Sequence, residues 1–126
     1  IAADAGHAQP VDTVALINDN SFTSFCRTAY TLRLLKKHLT ASLDEFKCDL
    51  VLYNAGTDSL EDDPLGCLNL SEECIVRRDE LVFRLCKEYE TPIAMVTSGG
   101  YLMSSADVIA KSIRNLHQKE LIQLKA

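Results

Sequence analysis

Two short apolar runs constrain what this chain can build. Asp49 to Ala55 and Ile93 to Val96 each stop after a few residues, and each is followed by a loop and then by a segment of helical periodicity. Runs this short and apolar, with β-branched content, read as strands buried on both faces. Before the first run, Leu32, Leu35, Leu39, Leu43 and Phe46 recur at helical spacing over Arg27 to Phe46. Between the runs, Ser71 is placed to cap a helix whose first turn holds Glu72 and Glu73. Its inward face is Ile75, Val82, Leu85, Cys86 and Tyr89, and Thr91-Pro92 ends it. After the second run, Ser104-Ser105-Ala106-Asp107 resembles a capping box for a last helix with Ala106, Ile109, Ala110, Ile113 and Leu116 inward. The order helix, strand, loop, helix, strand, loop, helix predicts an α/β fold: part of a parallel sheet with flanking helices. Upstream, Ile1 to Pro10 reads as a loose terminus, and Val14 to Ile17 as a short strand.

Ligands of such sheets sit beyond the carboxyl ends of the strands. Both unusual loops, Gly56 to Leu70 and Thr97 to Met103, follow strands, so the topology brings Asp58 and Tyr101 to one edge. The first loop is long for a connection, which favours a functional role. It holds Asp58, Glu61, Asp62 and Asp63 within six residues. That charge is either a solvated loop or includes a cation ligand. Glu61, Asp62 and Asp63 read as solvated or capping acids. In the second loop, Thr97-Ser98-Gly99-Gly100 could offer backbone N–H groups to an anion such as a phosphate or a flavin. No G-x-x-x-x-G-K-[ST] or G-x-G-x-x-G accompanies it.

Bulk properties exclude some classes. The length of 126 residues suits one domain, and 47% hydrophobic with 25% charged residues is ordinary globular composition. A net charge of −5 offers no footprint for a phosphate backbone, so no direct nucleic-acid binding is expected. The basic stretch Arg33 to His38 reads as the solvated face of a helix. No run approaches the length of a membrane span, and no signal peptide is marked. Five cysteines without a C-x-x-C pair argue for reduced thiols in an intracellular protein; Cys67, beside Gly66, could be exposed and reactive but reads first as a small buried filler. The first residue is Ile rather than Met, which predicts a fragment or a processed product.

Three ordered motifs carry a resemblance. YNAGTDSLEDDPLG (Tyr53 to Gly66), IVRRDELVFRL (Ile75 to Leu85) and PIAMVTSGGY (Pro92 to Tyr101) together resemble the C-terminal part of a zinc-dependent histone deacetylase, in wording closest to class IV. The likeness runs from Asp49 to Ser112 and extends over residues 30–122. Residues 1–29 match nothing in it, and residues 123–126 are a tail. The resemblance implies the arginase/deacetylase α/β fold and hydrolysis of acyl-lysine amides on protein substrates such as histone tails. It implies Zn2+ held by two aspartates and a histidine, in a nuclear or cytoplasmic protein. Carried over residue by residue, Asp58 would be the last zinc ligand and Tyr101 the hydroxyl that stabilises the oxyanion. Gly99 and Gly100 would line the acyl-lysine channel. Asp62 and Pro64 stand where the family often shows glycine and arginine.

The chemistry of the residues suits those roles. A carboxylate at a rigid strand end is a suitable zinc ligand, and a phenol aimed at a developing oxyanion stabilises it. Read from the residues alone, Tyr101 stays open between such a donor and a packing tyrosine. What the family has upstream is missing. The three histidines, His7, His38 and His117, form no tandem pair, and Asp4-Ala5-Gly6-His7 spaces its aspartate and histidine one residue too far apart. His38 and His117 fall on predicted helices. The expectation is therefore a piece of a deacylase that needs the rest of its domain. Competing readings are a non-catalytic remnant that contacts a partner, and a phosphate- or flavin-binding α/β domain.

Overall fold

The computed structural model describes residues 24–124. The expected strand at Val14 to Ile17 and the Asp4-to-His7 motif lie outside them. Five elements follow in order: α1 (Ser24–Glu45), β1 (Val51–Asn54), α2 (Glu72–Glu88), β2 (Ile93–Val96) and α3 (Ser105–Gln118). The strands pair in parallel, with Val51 opposite Ile93 and Asn54 opposite Val96. α2 is the crossover between them, as a parallel pair requires, and it packs against both α1 and α3. The predicted element order is the observed one.

Ser71 caps α2 as expected, its hydroxyl accepting from the Cys74 amide at 3.2 Å. Beneath the first loop, Leu60 and Leu70 pack with Cys74, Ile75 and Val108 into one buried cluster, and Leu102 of the second loop lies against it. Leu60 and Leu70 also face each other across a parallel bridge, held by Glu61 N–H to Leu70 O at 2.8 Å and Leu70 N–H to Ser59 O at 2.9 Å. The long loop is thus pinned at both ends to the same apolar floor.

Several expectations are corrected. The strands are covered on one face only among the described residues: Val51, Tyr53, Ile93 and Met95 turn inward, while Leu52 is 68% exposed and Val96 is exposed too. The described helices leave the apolar alternate positions Leu52, Ala94 and Val96 uncovered. On α3 the buried stripe is Ser105, Val108, Ser112 and Leu116, and Ala106 and Ala110 face outward. The helix is turned by a polar contact, Ser112 Oγ donating to the Asp79 carboxylate at 2.6 Å, which an apolar count cannot see. No capping box forms, because Ser104 has helical backbone angles and its side chain makes no cap bond. Phe46 lies just past the end of α1 and is exposed. Cys67 is exposed on the first loop rather than buried, while Cys74 and Cys86 fill the interior.

Candidate active site

Past Asn54 the chain leaves the sheet, yet its backbone is not left loose. Ala55 N–H reaches Val96 O at 2.7 Å, and Thr57 N–H reaches Gly99 O at 2.7 Å, so the first loop continues the pairing onto the second. Asn54 Oδ1 accepts from Ser98 Oγ at 2.6 Å and adds a side-chain tie. The carbonyls of Ala55 and Gly56, which have no strand partner, accept from Arg78 of α2 at 3.1 and 2.9 Å. Unpaired carbonyls at this depth would be costly, and Arg78 supplies their donors. Asp58 therefore projects from a strand end fixed on both sides.

Both loops meet where the two strands end. A Cβ built on Gly99 would stand 2.3 Å from Asp58 Oδ2, so the carboxylate lies directly against that backbone. At Gly100 the backbone has φ +145°, and a Cβ would stand 2.2 Å from Thr57 Oγ1. Thr57 is buried, so it cannot swing clear. Gly100→Ala is accordingly expected to cost about 1–3 kcal/mol of stability, from backbone strain and crowding. Urea denaturation checks it, and a midpoint equal to the parent's would contradict the packing described. Tyr101 follows, 59% exposed as a residue, beside this junction. The geometry thus places Asp58, Gly99 and Gly100 in one assembly, with Tyr101 next in chain.

Asp63 reads from the sequence as a solvated or helix-capping acid; it is not solvated, and the amides it caps belong to the loops rather than to a helix. Its side chain is buried, and its carboxylate accepts three backbone N–H groups. Oδ1 takes those of Leu65 and Gly66, both at 3.0 Å, and Oδ2 takes that of Tyr101 at 2.9 Å across the loops. Burial alone would raise its pKa, but the three donors, from Tyr101, Leu65 and Gly66, outweigh it and hold the group below its ordinary 3.8. With the folded value below the unfolded one, the stabilisation is whole above about pH 4 and is lost as pH falls through the folded value. In urea titrations, the acid-side loss of stability is expected to be shallower for Asp63→Asn than for the parent. Parallel curves would show that the carboxylate carries no such linkage. Asp62 beside it adopts φ +67°, the left-handed conformation in which glycine is at ease and aspartate is tolerated.

A further network escaped the sequence reading. Asp79 of α2 is buried and accepts from Tyr53 Oη at 2.6 Å, Ser112 Oγ at 2.6 Å and Arg78 Nε at 2.9 Å. Burial pushes the Tyr53 phenol well above its ordinary 10.0; Arg78 opposes that and the Asp79 carboxylate adds to it. Tyr53 therefore stays protonated and donating. Asp79 falls on the same helical stripe as Ile75, Val82 and Cys86, and that placement was the available signal.

Asp58 lines an open cleft of about 300 Å3 with Asn54, Ser59, Arg78 and Ser98. Its carboxylate makes no hydrogen bond or ion pair among the described residues, which leaves its charge available to a cation. Among the described residues no group of three metal-donor side chains gathers, and His38 and His117 are exposed on their helices. One carboxylate is one ligand, so the described residues do not hold a catalytic metal by themselves. For the anion reading, Asp58 puts negative charge against Gly99, where an anion would have to sit.

Comparison with known proteins agrees with the motifs. The family model described as the histone deacetylase domain matches residues 13–117, beginning upstream of Tyr30. Histone deacetylase 2 of Arabidopsis thaliana is 51% identical over 94 residues, covering 75% of this chain and 24% of that protein. An uncharacterized protein of a Picosynechococcus species is 37% identical over 78 residues, covering 62% of this chain and 26% of that protein. The chain thus spans about a quarter of the length of the curated relatives it matches.

Proposed function

The chain belongs to the histone deacetylase family, and from that premise we propose that it forms the C-terminal part of a zinc-dependent lysine deacylase domain of class IV type, on the arginase/deacetylase α/β fold. The observation that carries the reading is the junction of the two strand-end loops, where the Asp58 carboxylate lies against Gly99, two residues before Tyr101. The reaction is hydrolysis of an acyl-lysine amide on a protein such as a histone tail. Water adds to the carbonyl carbon, the C–N bond breaks, and a carboxylic acid and a free lysine amine leave.

Asp58 would be one of the zinc ligands, the others coming from beyond the described residues. Bound zinc, when present, lowers the pKa of water and polarises a carbonyl. This chain's own contribution is positional. Tyr101 donates its phenol proton's hydrogen bond to the developing oxyanion. Gly99 and Gly100 bring backbone close to the acyl-lysine, where side chains would block it. The open outer sheet face supports the same reading, since exposed Leu50, Leu52 and Val96 form an apolar surface suited to cover by the remainder of a larger domain. Such an enzyme would work in the nucleus, the cytoplasm or both.

A second reading, a non-catalytic remnant, is favoured by one observation: Asp58 has no co-ligands among the described residues. The mass of the native polypeptide that carries this sequence, together with its zinc content, separates the two. A much heavier, zinc-containing species is expected. A zinc-free species near 14.0 kDa would leave the remnant.

A further inference from the structure

We propose that Arg78 is a positioning residue for the metal ligand: it fixes the β1 strand end from which Asp58 projects without neutralising it. The proposal rests on the reading of Asp58 as a zinc ligand. The guanidinium side chain is 14% exposed and reaches in two directions. On one side Nη1 donates to Gly56 O at 2.9 Å and to Ser59 Oγ at 3.3 Å, and Nη2 donates to Ala55 O at 3.1 Å. Gly56 and Ser59 flank Asp58, so the turn that presents the carboxylate is gripped before and after it.

On the other side the guanidinium is itself held. Asp79 takes Nε at 2.9 Å, and Asp79 in turn is fixed by Ser112 of α3 and by Tyr53. Tyr53 belongs to β1, two residues ahead of Ala55, and its ring lies under the guanidinium at 5.9 Å. The strand is therefore gripped twice by one network, through its side chain and through its carbonyls. A planar fork of five donors can do this, while a lysine ammonium cannot bond both carbonyls and the carboxylate in one geometry.

What Arg78 does not touch matters as much. It shares the cleft with Asp58 but bonds to the residues beside it and to Asp79, not to the Asp58 carboxylate, so the ligand's negative charge is left for a cation. A direct Arg–carboxylate pair would compete with the metal. This is outer-shell support, and loss of such support typically weakens metal binding about 10- to 100-fold.

The test uses the full-length polypeptide that carries this sequence, with zinc affinity measured by competition against a chelating dye. Arg78→Lys is expected to weaken zinc about 10- to 100-fold while the far-ultraviolet circular dichroism of the metal-free protein is retained. Arg77→Lys, at an exposed neighbour that pairs with Glu73, should leave affinity unchanged. Wild-type affinity in Arg78→Lys overturns the proposal. Should that variant not fold, Tyr53→Phe decides, since it trims one hydroxyl from the same network; a loss of about threefold is expected, and no loss overturns it. Asp58→Ala separates the two levels of inference. If Asp58→Ala abolishes zinc binding while Arg78→Lys and Tyr53→Phe do not weaken it, Arg78 alone is misassigned. If Asp58→Ala keeps its zinc, both readings fall.

Discussion

Asp58→Ala in the full-length polypeptide is expected to remove bound zinc and to lower hydrolysis of an acetyl-lysine peptide by about 10³-fold or more, because several kcal/mol of transition-state stabilisation leave with the metal. The carboxylate makes no bond that holds the fold among the described residues, so its loss should leave the protein folded. Metal content by plasma mass spectrometry and turnover on the peptide should therefore collapse together, with the circular dichroism spectrum retained. Tyr101→Phe offers the contrast. Its ring is exposed and bears no structural load, so zinc should stay while turnover falls about 10²- to 10³-fold, the usual cost of one oxyanion donor. A zinc-replete Asp58→Ala protein would remove Asp58 from the metal site altogether.

Asp79→Ala should be the most damaging single change to stability. The carboxylate, with its side chain only 5% exposed, serves Tyr53, Ser112 and Arg78 at once. Its removal leaves a mostly buried guanidinium uncompensated and two hydroxyls without their acceptor. Breaking such a pair by deleting one partner costs about 3–5 kcal/mol, a large part of the roughly 5–15 kcal/mol that holds a domain together. Glu73→Ala, which removes the partner of an exposed Arg77, should cost less than about 1 kcal/mol. Urea unfolding of the two variants side by side checks the contrast. A loss below about 1 kcal/mol in Asp79→Ala would mean that the network is already well solvated.

The parts of this fold legible in the sequence were those governed by local periodicity and caps. Short apolar runs gave β1 and β2, Ser71 gave the start of α2, and strand–loop order gave the shared edge of Asp58 and Tyr101. Polar contacts between elements distant in sequence were not legible. Asp63 looked like its neighbours Glu61 and Asp62, because nothing local shows that its acceptor atoms reach an amide 38 residues away. The face of α3 was misjudged for the same reason: Ser112 turns inward to reach Asp79, 33 residues earlier. Arg78 and Asp79 fall inside the IVRRDELVFRL segment, yet their roles depend on contacts with β1, the loop after it and α3. A carboxylate on the stripe of Ile75, Val82 and Cys86 does announce that a buried partner exists, though not which one. The family motifs suggested the roles proposed for Asp58 and Tyr101, which spacing by itself left open.

The three-way grip of Asp63 divides the first loop into a part that cannot change and a part that can. Leu60, Asp63, Gly66 and Leu70 carry the ties, whereas Leu68 lines the cleft beside Asp58 and bears none of them. Drift at that position would reshape the wall of the cleft while the carboxylate stayed in register. Such a loop gives a lineage a way to alter what enters the cleft without moving the carboxylate at its base.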